Sequence, residues 1–109
     1  MQNNGIALEQ TYKYLMMDHY CNAYDVSSGV TLKGYVNVTS GSEDDLVDAL
    51  ASVGPVTVAI DASHPSFTYY LSGVYYEPEC KNDIDDLDHQ VLAVGYGSEN
   101  GQDYWIVKK

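Results

Sequence analysis

Leu87-Asp88-His89-Gln90-Val91-Leu92-Ala93-Val94-Gly95-Tyr96-Gly97 is the stretch on which the reading of this chain turns. An acidic segment delivers a histidine to the first rung of an apolar run, and the run ends at a Gly-Tyr-Gly break. Ser98-Glu99-Asn100-Gly101-Gln102 reads as the turn that follows, with Gly101 free to take a positive φ. Asp103-Tyr104-Trp105-Ile106-Val107-Lys108-Lys109 reads as the returning strand. Such a hairpin brings the last residues back beside His89, within a slip or a bulge. A histidine at a strand mouth, with a partner on the neighbouring strand, is how an imidazole is held for proton transfer. The competing reading is a half-buried, hydrogen-bonded bystander, and position by itself does not separate the two.

Composition narrows the field. A chain of 109 residues suffices for one small domain of marginal burial, and 45% apolar residues with 11 Tyr is a globular composition. A net charge of -11, with five Lys and no Arg, argues against nucleic acid and anionic membrane as partners. No apolar run approaches the roughly 20 residues of a membrane helix, and no signal peptide is recognisable. Met1 is followed at once by polar Gln2-Asn3-Asn4-Gly5, which reads as an interior position of a longer chain. Cys21 and Cys80 lie far apart and could form one bridge in an oxidising compartment, worth about 2–4 kcal/mol. Two cysteines and three scattered histidines make no zinc signature.

Along the chain, Ile6, Leu8, Tyr12, Leu15 and Met16 make an approximate helical stripe, and Cys21 to Leu32 reads as a covering loop. Leu32 to Thr39 alternates and predicts a strand. Within it Asn37-Val38-Thr39 is a glycosylation sequon, relevant if the protein is secreted or lysosomal. Ser42-Glu43-Asp44-Asp45 opens the clearest helix, with Ser42 as cap and three acids at the favourable end of the dipole. Leu46, Val47, Leu50 and Val53 form its apolar face, and Gly54-Pro55 stops it. Val56-Thr57-Val58-Ala59-Ile60 predicts a strand deep in the sheet, because apolar residues fall on both faces. Phe67 to Tyr76 suggests a turn or short helix and then another strand. The acidic run from Cys80 to Asp88 lacks the glycine and terminal glutamate of a calcium loop and reads as solvated.

Taken together, Gly54-Pro55-Val56-Thr57-Val58-Ala59-Ile60-Asp61, Leu87-Asp88-His89, Val94-Gly95-Tyr96-Gly97 and Tyr104-Trp105-Ile106-Val107-Lys108 resemble the papain-like cysteine proteases, and among them the cathepsin L group. Ser42-Glu43-Asp44-Asp45-Leu46, Ser63-His64-Pro65-Ser66-Phe67 and Ser72-Gly73-Val74-Tyr75-Tyr76-Glu77-Pro78-Glu79-Cys80 extend the likeness in the order that group shows. The resemblance implies an α+β fold: the papain-like right domain, an antiparallel β-barrel-like sheet with one short helix, and an incomplete domain pair. Residues 1–31 would be the crossing segment and covering loops. Residues 32–109 would be the barrel portion, with a helix over 43–53. The nucleophilic cysteine and the oxyanion-hole glutamine would lie upstream of Met1. Cys21 and Cys80 then match structural half-cystines whose partners lie outside the chain, which disfavours a bridge between them. Relatives have a proline where Lys13 sits, in an extended stretch matched by Tyr12-Lys13-Tyr14. The first stripe is accordingly better read as a loop with one turn.

The activity implied is that of a cysteine endopeptidase. A cysteine thiolate attacks the scissile carbonyl, a histidine matching His89 pairs with it and protonates the leaving amine, and an asparagine orients the ring. The asparagine position falls on Lys109, which offers three donors and no acceptor. Positions matching Ala59, Leu87 and Gln90 line the pocket for the substrate's second residue before the scissile bond, and Asp88 is the expected neighbour of the histidine. Gln90 stands where relatives carry Gly or Ala, so it would narrow that pocket or give it a polar lining. His19 and His64 match no catalytic residue and read as structural or surface groups. Polypeptide substrates, a propeptide or cystatin-like inhibitor, and a lysosomal or extracellular digestive location follow from the resemblance, with no cofactor and no metal. The alternative is a non-enzymatic relative in the same fold, silicatein-like or a matrix or binding protein.

Overall fold

A computed structural model of the chain describes residues 5–21 and 29–109. It divides into two compact units, Met1–Asn37 and Val38–Lys109. In the first, Ile6 forms an isolated antiparallel bridge with Val30, and the amides of Thr11 and Tyr12 both donate to the Leu8 carbonyl at 2.9 Å. One turn in a loop is therefore what the stripe of Ile6 to Met16 produces.

The second unit is α+β: a small antiparallel sheet with two short helices. Helix α1 spans Glu43–Ser52, strand β1 Val56–Ile60, helix α2 Pro65–Thr68, strand β2 His89–Glu99 and strand β3 Gln102–Lys108. The Ser42 side chain accepts the Asp45 N–H at 3.2 Å and so satisfies one of the free amides of α1. Leu46, Val47 and Leu50 are half-buried where α1 packs on β1 and β2, whereas Val53 is 88% exposed. Val53 belongs to the C-cap, beyond the face that Leu46 and Leu50 share. Gly54, at φ 133°, then turns the chain into β1.

Four expectations need correction, two of them strands without a partner. First, Leu32 to Thr39 is not a strand, because nothing among the described residues pairs with it, and a ladder needs a partner whatever the alternation. Second, the stretch after Tyr70 forms no strand either, for the same reason. Third, β1 is an edge strand in the order β1-β2-β3, so β2 is the buried centre. Val56, Val58 and Ile60 are half-buried while Thr57 and Ala59 face out. Fourth, Gly95-Tyr96-Gly97 does not break β2, which runs on to Glu99. The turn is only Asn100-Gly101, with φ of 53° and 79°, the two positive values that a tight, strand-matched hairpin turn demands.

Register explains where the core lies. Val56 pairs with Ala93, Val58 with Val91 and Ile60 with His89, so these residues share one face. Val91 and Ala93 are the buried apolar residues among those described. His89 is the half-buried end of that same row.

Candidate functional site

The sheet register continues directly into the cleft around His89. The Asp88 N–H donates to the Ile60 carbonyl at 3.2 Å, and its side chain Oδ1 accepts the Ala62 N–H at 2.8 Å. Both bonds extend the β1–β2 pairing past its last rung and fix the residue before the imidazole. Pro65 opens the single turn of α2, where its fixed φ suits the first helical position. That turn sets Phe67 edge-on to His89, with centroids 6.2 Å apart and planes at 65°. Ala62, Phe67, Thr68, Asp88, His89 and Lys109 line an open cleft of about 540 Å³.

Lys109 reaches this cleft because of one extra residue in β2. Ala93 pairs with Val107 but Gly95 with Ile106, so Val94 is a bulge. Leu92 is opposite Lys108, and one more step in that register sets Lys109 across from Val91, on the face of His89. Without the bulge the step would fall one residue short and position 109 would turn to the other face. The Lys109 Nζ stands 5.0 Å from the Phe67 ring centroid, a cation–π contact.

Other residues singled out in the sequence are placed differently. Ala59 and Gln90 are direct cross-strand partners, both exposed, on the face of the ladder opposite His89. Leu87 is half-buried and outside the cleft lining, and Asn37 is exposed. Cys21 and Cys80 are exposed free thiols. Partial desolvation pushes the Cys80 thiol up, and the Asp61 and Glu77 carboxylates add to the effect, so it is a poor nucleophile. Among the described residues no cluster of His, Cys, Asp and Glu could hold a metal ion, and no helix is long and apolar enough to cross a membrane.

Asp61 entered the sequence reading only as the end of the Gly54–Asp61 stretch and was given no role. It is the buried polar residue of the second unit, only 7% exposed. Its Oδ1 accepts the Ser63 N–H at 3.0 Å and the Ser63 hydroxyl at 2.6 Å, and its Oδ2 accepts the Lys81 N–H at 3.1 Å. The Ser63 hydroxyl, then the Ser63 and Lys81 amides, hold its carboxyl far below the usual range, with nearby His64 contributing least. The only signal in the sequence was an acid followed two residues later by a serine at a strand end. That is a common turn pattern, and Lys81 is too distant to be foreseen.

Residues 1–109 match the family model described as papain family cysteine protease. The chain is 55% identical to a cathepsin L-like peptidase of Aedes aegypti, over 97% of its own length and 31% of that protein's. It is 52% identical to digestive cysteine proteinase 2 of Homarus americanus, over 97% and 32%. The solved structure of digestive procathepsin L 3 from the larval midgut of Tenebrio molitor superposes with a TM-score of 0.85 at 44% identity, covering 98% of this chain and 34% of that one. The chain thus spans about a third of the length of the curated relatives it matches. It belongs to the papain family of cysteine proteases, in the cathepsin L-like group, and matches a partial, C-terminal-like portion of its full-length members.

Proposed function

We propose that this chain is the histidine-bearing part of a cysteine endopeptidase that hydrolyses peptide bonds by a Cys-His-Asn type of mechanism. The observation that carries the reading is His89 at the mouth of β2. Asp88 is pinned to the β1 exit, Phe67 lies against the ring, and position 109 faces the same cleft. In the assembled enzyme His89 would hold the nucleophile as thiolate and return a proton to the leaving amine. Asp88, bonded through its carboxylate to Ala62, would keep the strand mouth in place.

The substrates are polypeptides. The exposed Ala59–Gln90 pair, with Leu87, would border the pocket for the second residue before the scissile bond, and Gln90 would favour a smaller or more polar side chain there. A propeptide or cystatin-like protein is the expected inhibitor. Cys21 and Cys80 would be half-cystines bridged to cysteines elsewhere in the full protein, and Asn37 a glycosylation site. All of this suits a lysosomal or extracellular digestive location, in line with the names of the Homarus americanus and Tenebrio molitor relatives, both digestive enzymes.

A second reading, a non-enzymatic relative in the same fold, is favoured by Lys109 and Gln90, which depart from the family pattern at the orienter and beside the histidine. Full-length protein separates the two. Hydrolysis of a fluorogenic dipeptide substrate, blocked by an epoxide thiol inhibitor and abolished by His89→Ala, supports the peptidase. No turnover, or turnover indifferent to His89→Ala, rejects it.

A further inference from the structure

Asp61 is buried, ionised and unused by the mechanism above. It follows Ile60, the residue that pairs with His89, and its two oxygens hold different segments. Through Ser63, Oδ1 folds the turn that leads into α2 and Phe67. Through the Lys81 amide, Oδ2 fastens the start of the loop that ends at Asp88 and His89. The far end of that loop is tied back by Asp88 to Ala62, one residue beyond Asp61. The Phe67 wall and the His89 wall of the cleft therefore meet at one carboxylate. None of its hydrogen bonds goes to α1 or β3.

We propose that Asp61 is a positioning residue for His89, its carboxylate setting the spacing between Phe67 and the imidazole and so the attitude from which the ring exchanges protons. The inference rests on the reading of His89 as the proton-transfer group. Small displacements matter at such a site, because catalysis depends on reacting atoms held near attack geometry.

The surroundings make the anchor resistant to acid. His64 Nε2 lies 3.4 Å from Oδ2, so any charge it gains adds attraction. The Asp61 charge in turn makes Glu77 and Cys80 hold protons more readily, and the Lys81 ammonium is turned away to Asp86 at 3.4 Å. Three donors hold the carboxylate ionised below the ordinary carboxyl range of about 3.9. The cleft anchor accordingly survives the mildly acidic conditions of a digestive compartment.

The test uses the full-length protein with Asp61→Asn, which keeps the shape but puts a donor where Ser63 or Lys81 already donates, and with the milder Ser63→Ala. The readouts are kcat and KM per active site titrated with an epoxide thiol inhibitor, and the His89 ring ¹⁵N resonances. Asp61→Asn should lower kcat per titrated site at least about tenfold with KM within about twofold, and should displace the ring resonances. Ser63→Ala should act in the same direction by a few-fold, which keeps the test alive if Asp61→Asn does not fold. A lower melting temperature with unchanged kcat per titrated site and unmoved resonances would reduce Asp61 to a stabiliser and overturn the proposal. If the unsubstituted protein hydrolyses nothing, the peptidase reading fails by itself. The ring resonances then still decide: displacement upholds Asp61 as the anchor of His89, and no displacement overturns it.

Discussion

At position 109 a lysine occupies the place where the papain resemblance expects an asparagine, and the Val94 bulge turns that position toward the His89 cleft. An ammonium cannot accept the second imidazole N–H, and its charge disfavours another positive charge beside it. Its contact with Phe67, worth about 0.5–1 kcal/mol in such settings, holds the charge in the cleft. In the full-length protein Lys109→Asn should therefore raise kcat/KM at least about tenfold near pH 5.5, equivalent to ~1.4 kcal/mol of barrier. Equal rates across about pH 4 to 8 would place the ammonium away from the reacting groups. Gln90 invites a separate substitution. Gln90→Ala should shift preference toward bulky apolar side chains at the second substrate position by about tenfold, read as a ratio of kcat/KM values for two peptides. The parts of the candidate cleft legible in the sequence were those a local pattern carries: Asp88 beside His89 in the chain, and position 109 returned by the hairpin. Asp61 was not legible, because its role depends on the Lys81 amide arriving at one oxygen from a loop that no hairpin registers against it.

Among the elements, the hairpin and α1 followed from local chemistry, and the missing strands did not. Ser42, three acids and Gly54-Pro55 specify start and stop of α1 within a few residues, and Asn100-Gly101 specifies its own turn. Leu32 to Thr39 has the pattern of a strand, but pairing is a property of two segments and no single stretch encodes it. The same asymmetry made β1 look central, since Thr57 and Ala59 are small enough to suit either face. Each local device has a measurable cost. Gly101→Ala forces a side chain into φ of 79° and should destabilise the full-length protein by about 1 kcal/mol. Gly97→Ala should cost about 1 kcal/mol, because a Cβ there would stand 2.7 Å from the hydroxyl of Tyr104, its cross-strand partner, whose ring must swing aside. Thermal melting of both variants beside Ser42→Ala, expected at about 1 kcal/mol, checks the set. A hairpin indifferent to both glycine substitutions would mean that the turn adapts.

For the molecule as a whole, surface composition sets the limit. Among the described residues only Val91 and Ala93 are buried apolar side chains, while Leu71, Tyr69, Tyr76 and Ile84 lie largely in solvent. Full burial of one large apolar side chain is worth about 1.5–3 kcal/mol, against roughly 1–2 kcal/mol of backbone entropy for every residue ordered. Val91 and the small Ala93 cannot carry the described residues, and half-buried Val56, Val58 and Ile60 recover only part of the difference. What favourable charge chemistry there is acts above acid pH. Asp61 and Glu77 both bind protons less readily folded than unfolded, because serine hydroxyls and backbone amides donate to their carboxylates. Their contribution is complete above their unfolded values, near pH 4, and is lost as pH falls below that range. Expressed alone, residues 1–109 should therefore show weak near-ultraviolet dichroism from their Tyr and Trp, a broad thermal transition and no hydrolysis of a fluorogenic dipeptide. Among the described residues no base bonds to the Cys21 or Cys80 thiol, so thiol chemistry there should give no substitute activity. The isolated chain would be measured at about pH 6, where the carboxylate contribution is intact, so that acid does not explain a poor fold. A sharp, cooperative transition of the monomer under those conditions would show that the exposed apolar side chains cost the fold far less than this reasoning requires.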